Sequence, residues 1–161
     1  MTACLTNDRF QLELSVAGYE FPDALSDPLD ANWLVIRVAL AMVHSAWRWQ
    51  VEDAGALTWE WADCASWLLS LSEGKTDHPE SFSFSEPDVR LQALHDTAGV
   101  VVGLAVHLMD EFQPPTKVLV PRENNVVTLR FHTPPEVLRA LAEAFLADSQ
   151  KFPQRGERPA S

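Results

Sequence analysis

The stretch NWLVIRVALAMVHSAWRWQVEDAGALTWEWADCASWLLSLSEG, residues 32–74, changes its hydrophobic period partway along, and that change sets the fold class. Leu34, Ile36, Val38 and Leu40 share one face of a strand. Trp47, Trp49 and Val51 then alternate with Arg48, Gln50 and Glu52 in a second, with a turn near His44 and Ser45. From Thr58 the spacing becomes helical: Trp61, Cys64 or Ala65, Leu68 and Leu71 form a stripe, with Thr58 as a cap, Glu60 in the first turn and Gly74 as the stop. Strand, strand and helix in succession within one stretch point to an α+β protein.

Upstream, Phe10, Leu12, Leu14 and Val16 alternate with polar residues as a strand with one wet face. Gly18 to Asp30 follows as an acidic loop with two prolines. Downstream, Phe82 and Phe84 mark a short strand. Residues 100–109 read as a central strand covered on both faces, and Lys117 to Val120 with Val126 to Phe131 read as a hairpin around Asn124 and Asn125. Thr133 with Glu136 forms a capping box, with Pro134 at the first helical position, and Val137, Leu138, Leu141, Phe145 and Phe152 supply a stripe expected to lie on the sheet. The expected fold is a largely antiparallel sheet of about six to seven strands packed against two main helices, about 58–73 and 134–151. One domain is expected over 1–153, with a frayed, flexible tail over 154–161.

The chain has 161 residues, 12 basic and 23 acidic side chains, and a net charge of -11. Residues 1–89 hold 15 acidic against four basic residues and so carry all of it, whereas residues 90–161 hold eight of each. Such a surface repels phosphate backbones and anionic headgroups, which argues against nucleic acid and membranes as direct ligands. A basic protein is a natural partner, and solubility alone is the plainer reading. Cys4 and Cys64 are far apart and form no CxxC motif, no stretch approaches bilayer-spanning length, and the first residues do not read as an export signal. Cytoplasm is the expected compartment.

Little in the chain points to chemistry. The five histidines never fall three or four residues apart, and no cysteine stands at metal-ligand spacing from them, so no metal site is expected. No nucleophile elbow, phosphate loop or dinucleotide-binding glycine run is present, and no cofactor is expected. A hydrolase site built from His107, Asp110 and Glu111 at the end of the central strand is the enzymatic alternative to a non-catalytic binder.

All six tryptophans lie between Trp33 and Trp67, inside the charged half. Trp33, Trp47, Trp49 and Trp61 suit a core between helix and sheet. Trp67 shares its helical face with Glu60 and Asp63 and Trp59 sits at the helix entrance beside Glu60, which suits exposed anchors ringed by acids; for Trp67 a ring packed under a neighbouring loop is the other reading.

The succession Leu14–Phe21, Asp30–Leu34, Trp49, Leu57–Glu60 and Trp67–Leu68 resembles the WapI-type immunity proteins. Ser83–Pro87, Glu111–Pro115 and the closing Lys151–Pro153 continue the likeness. The resemblance implies a small cytoplasmic antidote that binds and neutralises a toxin domain, often a nuclease and so often basic, passed between competing bacteria. The expected partner-binding residues are Asp23, Asp27, Asp30, Glu52, Asp53, Trp59, Glu60, Asp63 and Trp67, none of them catalytic. A structural or regulatory domain for some other basic protein is the alternative within the binding class.

Overall fold

The structure is a computed structural model and describes residues 4–115 and 122–160. Its first sheet is a four-stranded antiparallel meander: β1 (Cys4–Thr6), β2 (Phe10–Tyr19), β3 (Trp33–Met42) and β4 (Arg48–Leu57), in that spatial order. The alternation in sequence is realised here, with Phe10, Leu12, Leu14 and Val16 on β2 and Leu34, Ile36, Val38 and Leu40 on β3 buried on the same face. Helix α1 (Thr58–Ser72) follows directly. It ends in a Schellman turn, where Gly74 at φ 67° donates to the Leu71 carbonyl and Lys75 to that of Ser70, closing the orphan carbonyls of the last turn.

The second sheet holds β5 (Ser81–Ser83), β6 (Val89–His95), β7 (Val101–Leu108), β8 (Arg122–Glu123) and β9 (Val126–His132), in the order β5-β6-β7-β9-β8. Helix α2 (Pro135–Lys151) closes the chain. β7 is the central strand, as its two apolar faces suggested, and at Gly103 any Cβ would lie 2.3 Å from the Phe131 carbonyl oxygen of β9. Asn124 and Asn125 both have positive φ, 51° and 61°, as the tight turn between β8 and β9 requires. The strand read over Lys117 to Val120 lies outside the described residues.

The α+β class, the antiparallel pairing and the two helices are as read from the sequence. The strand count is not: nine strands are described, in two sheets. β6 was missed, although Val89, Leu91 and Ala93 alternate with Arg90, Gln92 and Leu94 and turn inward. The apolar stripe of α2 also meets a different surface from the one expected. It packs chiefly on α1, with a smaller contact to β2, and the two helices share one continuous core with residues of both sheets. Trp61 sits at that junction, stacked on Phe145 of α2 at 4.1 Å and on Phe84 at 5.6 Å.

Two caps differ from expectation. Thr58 is not the cap of α1; its hydroxyl donates to the Asn32 side-chain carbonyl, and the Glu60 carboxylate accepts the Leu57 N–H at 2.8 Å instead. Thr133 makes no cap bond to α2, whose first residue is Pro135; its hydroxyl is buried and unpartnered among the described residues. A second proline, Pro134, occupies the cap position, so fewer N–H groups need a side-chain acceptor there.

Candidate protein-binding cleft

Where the two ends of the acidic loop after β2 and the first residue of β3 approach the start of β6, the surface folds in to form an open cleft of about 470 Å³. Glu20, Phe21, Asp30 and Trp33 come from the acidic loop and the strands it joins, and Asp53 and Ala54 from β4. Glu86 and Asp88 come from the approach to β6, and Glu111 from the single helical turn after β7. Six carboxylates thus converge, and among the described residues no basic side chain lines the cleft. The turn at 110–112 brings a seventh: Asp110, at φ 43°, hydrogen-bonds its carboxyl to that of Asp88.

The electrostatics follow from this crowding. Partial desolvation pushes the Asp88 carboxyl up to about 6, helped by the charges of Asp110, Glu111 and Glu86 and by the Asp110 hydrogen bond. Glu20 is raised as well, by desolvation first and then by Asp53, Asp30 and Glu86. The groups stay largely in water, so salt softens their repulsion. Chemically, such a cleft accepts guanidinium or ammonium groups and relieves its own repulsion by doing so.

The loop that forms one wall is held from far away in sequence. Asn32, fully buried, donates its amide to the carbonyls of Pro28 (2.7 Å) and Arg155 (2.8 Å) and accepts from the Arg155 N–H and the Thr58 hydroxyl. The Arg155 guanidinium lies 3.5 Å over the Tyr19 ring and donates to the Pro22 carbonyl at 2.8 Å. Asp27 pins the same loop from within, accepting the N–H groups of Leu29 and Asp30. Beyond residue 153, the Arg155 main chain bonds both ends of the Asn32 amide, its guanidinium donates to the Pro22 carbonyl, and Arg158 pairs with Asp63 at 3.1 Å.

The expected partner-binding residues therefore scatter. Asp30 and Asp53 line the cleft; Asp23 and Asp27 belong to the loop beside it and are exposed. Glu52 lies on the outer face of the first sheet, paired with Arg37 at 2.6 Å. Glu60 binds Leu57 and the Ser85 hydroxyl, tying α1 to the β5–β6 connection. Asp63 is taken up by Arg158. Trp59 and Trp67 are buried, so the packed reading holds for Trp67 and neither ring is an exposed anchor: Trp67 donates its indole N–H to the Pro79 carbonyl under the 74–80 loop, and Arg158 lies over Trp59. Sequence reasoning missed Glu20, Glu86 and Asp88. Reading β6 correctly would have set Glu86 and Asp88 at the mouth of a strand, but nothing local brings them to Asp30 and Asp53.

The hydrolase constellation is not assembled. Both ring nitrogens of His107 are engaged, Nδ1 with Thr128 Oγ1 at 2.9 Å and Nε2 with Gln92 Oε1 at 3.0 Å, and burial with Arg90 and Arg130 holds its pKa below the ordinary value. His107 does not line the cleft that holds Glu111. Among the described residues no group of three or more His, Cys, Asp or Glu is arranged to hold a metal ion, and no helix is long and apolar enough to cross a membrane.

A family model described as "Immunity protein WapI-like family" matches residues 4–153. No curated protein matches the chain. Among solved structures, the chain is similar to WHY3 from Arabidopsis thaliana at 12% identity, over 96% of this chain and 88% of that one, with a TM-score of 0.41. That likeness is too loose to carry an argument.

Proposed function

The chain belongs to the WapI-like immunity protein family, and on that premise we propose that it neutralises a basic toxin domain by receiving Lys and Arg side chains in the carboxylate cleft. The observation that carries this reading is the convergence of Glu20, Asp30, Asp53, Glu86, Asp88 and Glu111 on one concavity with no lining cation among the described residues. Carboxylates spaced along a groove resemble the phosphates of a nucleic-acid backbone, so a nuclease toxin is the partner class that fits best. Binding occurs in the cytoplasm of the bacterial cell that makes the antidote. The protein acts by occupancy, and none of these residues performs catalysis. Asp23 and Asp27 extend the acidic field along the loop and steer the partner's approach.

The test is to express the protein encoded directly upstream, co-purify it with this chain and titrate the pair at low and high salt. A complex weakened by salt is expected. Asp53→Lys with Glu111→Lys should weaken it roughly 100-fold, while Asp63→Lys, which disturbs only a surface pair with Arg158, should change it little. No complex, or a complex indifferent to both salt and the cleft reversal, would sink the proposal.

A further inference from the structure

β4 is an edge strand: it pairs with β3 on one side, and no described strand pairs with its other side. The Asp110–Phe112 turn contacts β4, and Phe112 meets it at Gly55. Met42 donates its N–H to the Trp47 carbonyl, and Leu40 lies opposite Trp49 and Val38 opposite Val51. In an antiparallel ladder that alternation turns the main-chain groups of Trp47, Trp49 and Val51 toward β3 and those of Arg48, Gln50 and Glu52 outward. Among the described residues, three in a regular stretch therefore present unpaired N–H and C=O groups along one line. No proline interrupts β4, and its one irregularity against β3 falls later, beside Gly55; the charges on this edge, Arg48 and Glu52, are of opposite sign and so can pair across a two-fold axis.

The side chains along this edge say what would pair with it. Arg48, Gln50 and Glu52 are exposed on one face, while Trp49 and Val51 are half-buried on the other. We propose that β4 pairs with the β4 of a second copy, antiparallel about a two-fold axis at Gln50, so that two four-stranded sheets join into one of eight. In that register each Arg48 faces Glu52 of the other copy, and each Trp49 faces its Val51 across the pair. A register centred on Arg48 or on Glu52 would set like charges face to face, so the charges select the one centred on Gln50. This dimer goes beyond the toxin-binding reading, and its readout needs no toxin.

Sedimentation velocity of the full chain, from micromolar to millimolar concentration, should show a species of twice the 18.0 kDa monomer mass. Glu52→Arg alone, or Arg48→Glu alone, places like charges opposite each other twice and should raise the dimer dissociation constant at least ~10-fold. The double exchange Arg48→Glu with Glu52→Arg should restore it. Gln50→Pro removes an N–H that points away from β3, so circular dichroism should report an intact fold while the dimer is lost. A monomer at every concentration overturns the proposal, as does a dimer that persists through the single reversals and Gln50→Pro.

Discussion

Residues 4–72 and 81–151 each run antiparallel strands into a closing helix, yet residues 1–89 carry the whole net charge and all six tryptophans, and residues 90–161 carry neither. The second half builds its share of the core with Phe84, Phe112, Phe131 and Phe145 around leucines and valines. The shared plan shows that the architecture requires neither tryptophan nor an acidic surface. Tryptophan in the first half is largely a packing solution, since Trp59, Trp61 and Trp67 are buried and Trp47 and Trp49 pack against the core. The acids have no such explanation, and each half supplies three of the six that line the cleft: Glu20, Asp30 and Asp53 from residues 4–72, Glu86, Asp88 and Glu111 from residues 81–151.

The comparison breaks most severely at Trp61, whose ring joins the halves. Trp61→Ala removes a ring buried to 1% exposure between Phe84 and Phe145 and should cost about 4 kcal/mol in chemical denaturation. If the halves were independent, only one of two transitions would move; a single shifted transition is expected. Asn32→Ala strands the groups it serves on Pro28, Thr58 and Arg155 and should cost about 3 kcal/mol. Its signature is faster hydrogen exchange through residues 20–32, with β6, β7 and β9 unchanged.

The acidic cleft gives a smaller effect of opposite sign. The Asp88 pKa is raised in the fold, so the folded state holds this proton more tightly than the unfolded chain does. The stability contributed by the protonated group is complete below about pH 4 and lost as pH rises through about 6. Asp88→Asn should therefore stabilise the protein at pH 7.5, by about 1 kcal/mol once solvent screening is allowed for, and have little effect at pH 4. A destabilised variant at pH 7.5 would show that Asp88 lies among attractions rather than repulsions. Smallest of all, Arg37→Ala removes a surface pair with Glu52 and should shift stability by less than about 1 kcal/mol.

The α+β class, both helices, the strands β2, β3, β4 and β7 and the tight turn at Asn124 and Asn125 were legible in the sequence, because each is announced by a local period or by a residue that tolerates positive φ. β6 was equally periodic, and Arg90 and Gln92 masked it. The division into two sheets was not legible, since it depends on which strands meet across the helices, and no local pattern encodes that. The site was half legible. Asp30 and Asp53 drew attention through the charge imbalance, whereas Glu20, Glu86 and Asp88 acquire meaning only when the ends of both sheets converge. Thr58 and Thr133 mark the same limit from the other side: each matches a capping pattern, and each is diverted inward by packing.

Arg155 reaches back 133 positions to grip the Pro22 carbonyl, and its main chain completes the environment of Asn32. The acidic loop therefore takes its final shape only after residue 155 has been added. The cleft wall is completed late in the chain. If toxin is received in the cleft as proposed, a chain cut short just before residue 155 would present a loosened wall to its target.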